Sequence, residues 1–194
     1  MGTSDGRHAR SERTRARVAE AMLDCLQAGS LRPSAKEVAV QAGVSTRALF
    51  RHFENMESLF EEAATIQMER MFADLPPLEH QGPLTNRIAA FIERSSQGFE
   101  RARPVRRASL IAEPFSKVIQ ERQRWLHHVV RQNVKKVFAA ELGELSTKQQ
   151  RQWVAAIRSI LSSSYWEELR ASEKLSATVA KATLRDTLAD LLTS

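Results

Sequence analysis

Cysteine is nearly absent from this 194-residue sequence, because Cys25 is the only one. A single thiol cannot close a disulfide within the chain, and it cannot build a cysteine-rich zinc site. Free cysteines are usually small, buried apolar residues, so we expect Cys25 to pack on the inner face of the first helix.

Long apolar runs are also missing. No segment approaches the roughly 20 consecutive apolar residues that a helix needs to span a bilayer. The N-terminus, MGTSDGRHARSERTRAR, lacks the apolar core of a secretory signal. We therefore expect a cytoplasmic protein with no membrane partner.

Signatures of catalysis are absent as well. His127 and His128 are adjacent, so on a helix they point about 100° apart and cannot bind one metal ion together. His8, His52 and His80 are isolated, and the sequence has neither an HExxH motif nor a glycine-rich phosphate loop. We expect no enzyme activity, no catalytic residues, no metal and no cofactor.

Glycine and proline are sparse, with seven and six residues. These numbers leave little room for a strand-and-turn architecture, and runs of alternating β-branched residues are missing. Apolar residues instead recur at helical spacing along the chain. Val18, Met22 and Leu26, for example, share one face of a first helix that Gly29 can end. The sequence predicts an all-α fold.

Charge is distributed in blocks, although the net total is only +6. Residues 1–53 carry nine Lys/Arg and five Asp/Glu, whereas residues 54–100 carry three and nine. Residues 101–136 are the most basic, with ten Lys/Arg and two Asp/Glu, and residues 137–194 carry seven of each. The basic balance suggests a polyanionic partner, but two basic blocks separated by an acidic one need separate explanations.

The first basic block contains the stretch SAKEVAVQAGVSTRALFRHF, which begins at Ser34. Ser34 and Glu37 have the spacing of a capping box, which predicts the start of a second helix. Gly43 suits the left-handed conformation that ends a helix, and Ser45 can cap a third helix two residues later. Two short helices joined by such a tight turn indicate a helix-turn-helix.

The third helix is predicted to present a polar face to its surroundings. Five residues share that face: Thr46, Arg47, Ala48, Arg51 and His52. An α-helix fits the major groove of B-DNA, where an arginine can donate two hydrogen bonds to a guanine edge. The same pattern is compatible with a helical hairpin whose basic face is solvated or binds an acidic protein. Sequence-selective duplex binding that weakens steeply with salt would separate the two interpretations.

The segment AGVSTRALFRHFENMESLF resembles the DNA-binding domain of the TetR/AcrR family of transcriptional regulators, and the resemblance covers about residues 13–60. It implies that four residues face bases or nearby phosphates: Ser45, Thr46, Arg47 and Arg51. It also implies that four residues meet the sugar-phosphate backbone: Ser34, Lys36, Phe50 and His52. Three positions depart from the family pattern. Arg47 stands where many members have glycine, Phe50 replaces the common tyrosine, and Met56 replaces a frequent lysine.

The N-terminal segment holds five arginines: Arg7, Arg10, Arg13, Arg15 and Arg17. We expect the first ten residues, with Arg7 and Arg10, to stay mobile until DNA is present. Arg13 is expected at the start of the first helix, within reach of DNA.

Residues 74–84, DLPPLEHQGPL, form the clearest linker. They follow a predicted fourth helix, which Asn55 can cap. We therefore expect a basic arm and helix-turn-helix DNA-binding domain at 1–54, a connecting helix at 55–73, and a helical ligand-binding and dimerisation domain at 74–194. In the last part, helices are predicted at 85–100, 115–139, 147–171 and 176–192, with an irregular segment around Pro104 and Pro114.

The resemblance implies two further sites, because proteins with this motif commonly bind inverted half-sites as two-fold dimers. The candidate dimer contacts lie on the last two helices: Trp153, Ile157, Ile160, Leu161, Leu184, Leu188 and Leu191. The candidate pocket for a small-molecule inducer is lined by six residues: Phe91, Phe99, Phe115, Trp125, His128 and Trp166. In both sets, ordinary packing inside the chain's own core is the alternative.

These observations predict a sequence-specific transcriptional regulator, a ligand-responsive repressor that binds an inverted-repeat operator in double-stranded DNA as a homodimer. The alternative is a non-catalytic helical interaction protein with a basic face. The second basic block, residues 101–136, is either solvated, turned toward an anionic ligand, or an additional attraction for DNA.

Overall fold

The computed structural model describes residues 3–193, and all regular elements in that range are helical. Within these residues ten α-helices follow one another: α1 (Thr3–Gln27), α2 (Ala35–Ala42), α3 (Thr46–His52), α4 (Met56–Ala73), α5 (Leu84–Ala112), α6 (Lys117–Val137), α7 (Ala139–Gly143), α8 (Thr147–Ile160), α9 (Ser163–Glu167) and α10 (Ala177–Thr193). A 3-10 turn occupies Glu113–Phe115, and a π-helical turn occupies Glu168–Ser172. The predicted all-α fold with an N-terminal helix-turn-helix is confirmed.

The chain divides into two compact units. The first consists of Met1–Ala73 and Ala102–Glu121, and the second consists of Asp74–Arg101 and Arg122–Ser194. Residues 74–194 thus contribute to both units. The functional division of the chain at residues 54 and 73 remains a prediction. None of the helices between residues 3 and 193 is long and apolar enough to cross a membrane.

The first unit is built around the inner faces of four helices. Val18 and Met22 on α1, Val38 on α2, Leu49 on α3 and Leu59 on α4 are all buried in one cluster. Cys25 packs against this cluster and is half-buried, and burial raises the pKa of its thiol. The α2 and α3 helices have 8 and 7 residues, fewer than the roughly 12 that even a favourable isolated helix needs in water, so the shared core stabilises them.

Local hydrogen bonds set the ends of the two short helices as the sequence predicts. The Ser34 hydroxyl accepts from the Glu37 amide at 3.2 Å, and the Ser34 amide donates to the Glu37 carboxylate at 2.7 Å. Gly43 ends α2 with φ 63°, in the left-handed region. The Ser45 hydroxyl then accepts from the Ala48 amide at 3.1 Å and caps α3. The predicted capping box and turn are confirmed.

The N-terminal segment differs from the expectation. The α1 helix begins at Thr3, so Arg10 and Arg13 lie within it, and Arg13 is not at its start. Residues 1, 2 and 194, together with the side chains of residues 3–5 and of Arg7, lie outside the described part of the chain. The expectation relied on the scarcity of apolar residues before Val18. It gave too little weight to arginine, glutamate and alanine, which are favourable residues in a helix.

The region around Pro104 also differs from the expected irregular segment. The α5 helix runs through Pro104 to Ala112, and the irregular backbone is confined to the turn at Pro114. A proline inside a helix costs about 3 kcal/mol, because it lacks an amide donor and its ring crowds the preceding turn. On the C-terminal side of Pro104, Ala108 is buried in the first core, and Val105 and Ala112 pack against it. This packing keeps the segment helical.

The second unit has a separate core formed by parts of α5 and α6 together with α7–α10. Phe91 packs against Phe138 with ring centroids 5.8 Å apart, and Leu184 and Leu188 are fully buried. Arg87 is also buried, and its guanidinium donates to the Glu141 carboxylate and to backbone carbonyl oxygens. The same guanidinium lowers the pKa of Glu141.

Substitution of Gly43 should destabilise the chain through backbone conformation alone. A Cβ atom at this position would meet no atom within 4 Å, so no steric clash is introduced. The left-handed conformation nevertheless costs an L-residue about 1 kcal/mol, and less for asparagine. Urea unfolding should therefore show Gly43→Ala to be about 1 kcal/mol less stable than the wild type, with Gly43→Asn between the two.

The matched control is Gly143→Ala. Gly143 lies on α7 with space around its Cα and without a positive φ, so alanine there should not destabilise the chain. A Gly43→Ala variant as stable as the wild type would show that the turn does not depend on glycine.

Candidate nucleic-acid interface

The exposed side of α3 carries four side chains. Successive residues of a helix are about 100° apart, so four exposed residues fall within an arc of about 140° around the axis of α3: Thr46, Phe50, Arg47 and Arg51. Leu49 lies on the opposite side and is fully buried. Arg47 and Arg51 form no ion pair with any described residue, so their donors are available to an external acceptor. The structure thus brings three polar residues and one aromatic ring onto one face.

The side chain of Arg15, on α1, contacts both the C-terminal end of α3 and the α4 helix. Its guanidinium donates to the His52 carbonyl oxygen at the end of α3 and to the Glu62 carboxylate on α4, with an Nε–Oε2 distance of 2.7 Å. The same group lies 4.4 Å from the centre of the Phe53 ring. One side chain from α1 therefore connects the C-terminal end of α3 to α4. Sequence reasoning placed Arg15 only in an arginine-rich segment and did not identify this role.

The structure corrects the predicted position of His52 on the exposed face of α3. Its ring is partly buried, and its Nε2 atom is inaccessible and has no hydrogen-bond partner among the described residues. Burial lowers the pKa of His52, and the positive charges of Arg51 and Arg15 lower it further. His52 and Ala48 both lie on the side of α3 nearer to Leu49, which explains why both are half-buried. The Nε2 side of the ring therefore faces the protein, and the contact of His52 with the DNA backbone stays a prediction.

The entry of α2 supplies a second part of the surface. Ser34 and Lys36 are exposed, and Lys36 has no ion-pair partner within residues 3–193. The first turn of a helix offers unpaired amide donors and a partial positive charge, both of which favour a phosphate group. Glu37 opposes this preference with its carboxylate, which is committed to the capping box. Phosphate contact at Ser34 and Lys36 remains a prediction.

The outer face of α1 carries a third set of cations. Arg10, Arg13 and Arg17 fall within about 60° of arc, because they are three and four residues apart on a continuous helix. All three are exposed, and the described residues provide no carboxylate partner for them. Arg13 donates only to the Ala9 carbonyl oxygen one turn earlier, at 3.2 Å. We call Arg10, Arg13 and Arg17 the α1 arginine stripe.

The six candidate pocket residues do not form one group. Phe91 and Trp166 are buried in the second core, where the Phe99 and Trp166 rings lie 6.3 Å apart and the Trp166 indole donates to Glu100. Two candidates are exposed on α6: Trp125 and His128. Phe115 belongs to the first unit and is 83% exposed. The alternative of core packing therefore applies to Phe91 and Trp166, because sequence spacing cannot distinguish a core aromatic from a pocket aromatic.

The candidate dimer residues divide in a similar way. Four of them are fully enclosed by the chain's own second core and cannot reach a partner: Ile157, Leu161, Leu184 and Leu188. The other three keep part of their side chains exposed: Trp153, Ile160 and Leu191. The apolar face of a helix packs first against the core of its own chain. This packing corrects the assignment of the four buried residues to a dimer contact.

Part of the second basic block is explained by internal pairing. The Arg101 Nη1 atom lies 3.5 Å from Asp74 Oδ2, and the Arg106 Nη1 atom lies 3.8 Å from Glu113 Oε2. Burial lowers the pKa of Arg106, while Glu113 acts in the opposite direction. The exposed cations Arg131 and Lys135, by contrast, have no acidic partner in the described range. In that range no group of three His, Cys, Asp or Glu side chains is arranged to hold a metal ion.

The lowered pKa of His52 predicts a loss of stability in a defined pH window. Above about pH 6.5, the ordinary pKa of histidine, neither the folded nor the unfolded chain protonates His52. Below that pH the unfolded chain binds a proton that the folded chain does not, so the free energy of unfolding falls until the folded pKa is reached. Urea unfolding followed by circular dichroism should show a smaller loss between pH 7.5 and 5.5 for His52→Gln than for the wild type.

His128→Gln is the control for this experiment, because it removes one imidazole from an exposed position. The paired carboxylates Glu93 and Glu141, whose pKa values are lowered, lose their contribution only below about pH 4.5, outside the window. If wild type and His52→Gln respond identically to pH, His52 is not held in its neutral form by the fold.

Comparisons with known proteins agree with this geometry. Residues 27–63, which include α2, α3 and the first part of α4, match the family model of the bacterial regulatory proteins of the tetR family. A transcriptional regulator from Rhodococcus sp. Rha1 has a similar structure, with a TM-score of 0.72 at 20% identity over 92% of this chain and 96% of that chain. A candidate transcriptional regulator from Pseudomonas aeruginosa PAO1 has a TM-score of 0.67 at 16% identity over 94% of this chain and 92% of that chain.

At these identities, the two structural likenesses establish a shared fold and nothing finer. A search among curated protein sequences finds no significant match. The family model covers the segment that contains the reading helix, its caps and the turn at Gly43. Through this segment the chain is similar to the bacterial regulatory proteins of the tetR family.

Proposed function

We propose that this chain is a DNA-binding transcriptional regulator of the TetR family, which binds an inverted-repeat operator in double-stranded DNA as a homodimer and represses transcription until a small molecule releases it. The observation that carries the proposal is the exposed face of α3, on which Thr46, Arg47 and Arg51 have no partner among the described residues. The cytoplasm, where bacterial DNA is located, is the compartment that this function requires. A helical interaction protein that binds an acidic partner through the same face is the alternative.

The chemistry of α3 supports the reading of bases. A helix of this diameter enters the major groove, and an arginine that donates two hydrogen bonds to one guanine discriminates by about 1–3 kcal/mol. Arg47 lies in the first turn of α3, next to the Ser45 cap, where recognition helices make their base contacts. Phe50 lies between Thr46 and Arg47 on the same face and is 47% exposed, which suits an apolar contact such as a thymine methyl group.

A two-fold dimer is supported by the partly exposed apolar residues of the second unit. Trp153 and Ile160 on α8 and Leu191 on α10 remain accessible, and Val179 on α10 is 48% exposed. The same surface on a second copy could cover these side chains, as in isologous dimers. A dimer would place two copies of α3 on two half-sites, which adds the selectivity that one short helix lacks.

Ligand release rests on the family resemblance and on thermodynamic linkage. A small molecule weakens DNA binding only if it binds more tightly to a conformer whose two reading helices do not match the operator. A protein that occupies an operator until a ligand releases it most simply represses transcription while the ligand is absent.

Selection of bound sequences from a random duplex pool tests the proposal. The wild type should enrich an inverted repeat with two equivalent half-sites. Arg47→Ala should still enrich a repeat but should lose preference at one base pair in each half-site, at a cost of about 1–3 kcal/mol for the original operator. The binding constants are best measured by fluorescence anisotropy at one fixed salt concentration.

The control is Lys36→Ala, which removes a cation at the predicted phosphate contact of α2. It should weaken binding to all duplexes to a similar degree and should leave the selected sequence unchanged. If the wild type enriches no sequence, the chain is not the proposed regulator. If Lys36→Ala and Arg47→Ala have the same effect on every duplex, the division of roles is wrong.

The α1 arginine stripe should contribute contacts to phosphate and therefore to the salt dependence of binding. Each phosphate that a protein neutralises on B-DNA adds about 0.9 to the slope of log K against log salt. The triple variant Arg10→Gln, Arg13→Gln and Arg17→Gln should reduce that slope by up to about 2.7 per protomer. Glutamine retains helix propensity, so α1 should persist, as circular dichroism can verify.

A matched triple variant on α6 removes the same charge from another exposed surface: Arg131→Gln, Lys135→Gln and Lys136→Gln. Its slope should stay close to that of the wild type if the α1 stripe has a specific place on the duplex. Equal reductions in both triple variants would instead show that only net charge matters.

A further inference from the structure

The first unit contains a cleft of about 290 Å³ beside the helix-turn-helix. Its floor includes Met22 and Phe60 from the buried core, and its rim includes Leu31 and Phe115. All lining residues belong to the first unit, so this cleft is separate from the six pocket residues expected from the sequence, with the exception of Phe115. Its volume lies just below the range of about 300–1,000 Å³ for small-molecule sites, which limits it to a small ligand.

The lining defines the class of molecule that the cleft can accept. Met22 and Met56 contribute flexible, polarizable thioethers that adapt to different shapes. Phe115 is 83% exposed and Leu31 is 38% exposed, so a bound apolar molecule would remove both from water. An exposed aromatic ring next to an apolar cleft is uncommon on a surface that has no further role.

The polar groups of the lining restrict the charge of the ligand. Arg32 and Glu57 are exposed there, and neither has a hydrogen-bond or ion-pair partner in the described part of the chain. The Ser116 hydroxyl is already used, because it accepts from the Ile119 amide at 3.3 Å. One cation and one anion give no net preference for either sign, and a charged ligand would lose hydration in an apolar cleft. An uncharged molecule with a hydrogen-bonding group fits this lining best.

The cleft adjoins both ends of the helix-turn-helix. Leu31, Arg32 and Pro33 immediately precede Ser34, which caps α2. Met56 begins α4 three residues after Phe53, the residue that caps the C-terminal end of α3. A ligand that separates these two segments changes the spacing between the entry of α2 and the base of α4. The α3 helix lies between these two segments in the chain.

From these observations we propose that the cleft is an effector site for a small, uncharged, mainly apolar molecule, and that its occupancy lowers the affinity of the chain for duplex DNA. The proposal rests on the proposed function, because it supplies a ligand site for the same regulator. Its coupling is reciprocal, so bound duplex lowers the affinity for the effector by the same factor.

The binding site can be tested with indole as the probe and with the methionine methyl groups as reporters. In the ¹³C-methyl-methionine spectrum of the full chain, the Met22 and Met56 signals should shift and saturate as indole is added. The signals of Met68 and Met71, which lie on α4 but do not line the cleft, should stay in place. Indole-3-carboxylate, which carries a negative charge, should bind at least about fivefold more weakly because its charge must be desolvated.

Two variants connect binding to regulation. Ala112→Phe places a ring in the cleft and should abolish the saturable shifts, whereas Ala73→Phe makes the same change at an exposed residue outside it. In the wild type and in Ala73→Phe, saturating indole should weaken binding to the selected operator by about fivefold or more. In Ala112→Phe, indole should have no effect on operator binding.

The outcomes separate this proposal from the function on which it rests. Failure of the unliganded wild type to bind any duplex overturns the proposed function, and the methyl titration still decides whether the cleft is a binding site. Duplex binding without saturable shifts at Met22 and Met56, or with equal shifts in Ala112→Phe, overturns the cleft as a site. Saturable shifts that leave operator affinity unchanged overturn its role as an effector site.

Discussion

The helix-turn-helix depends on burial of two helices that are too short to persist alone. The α2 and α3 helices have little intrinsic stability, and their positions are set by Val38 and Leu49 inside a core shared with α1 and α4. The turn at Gly43 keeps the two helices adjacent, and Arg15 ties the end of α3 to α4. A reading surface can be specific only if its side chains are held in place, so the first core determines what α3 can recognise.

The sequence predicted those parts of the site that depend on neighbours in the chain. Capping boxes and left-handed turns are formed by residues three to five positions apart, so Ser34, Gly43 and Ser45 could be assigned from spacing. The contacts of Arg15 with Glu62 and of Arg87 with Glu141 join residues 47 and 54 positions apart, and no local pattern indicates them. The sequence did not indicate that His52 is partly buried, because α3 has only 7 residues and its apolar residues show no clear helical periodicity.

The C-terminal half shows a second limit of sequence patterns. An apolar stripe indicates that a helix face is covered, but it does not indicate by what. Leu184 and Leu188 are covered by the chain's own second core, whereas Ile160 and Leu191 remain partly exposed, although all four are apolar residues of α8 and α10. Pro104 illustrates the opposite case, in which tertiary packing on Ala108 overrides a strong local signal.

The first unit is discontinuous in the chain, and this has a consequence for its independence. Ala108 and Ile119 complete the core that Leu59 and Phe60 begin, yet they follow a segment of 28 residues that belongs to the second unit. A fragment that ends at Ala73 would therefore leave apolar side chains uncovered and would not carry the whole fold of its reading head. A chimaeric regulator that receives this DNA-binding unit must therefore receive both of its chain segments, not only the N-terminal one.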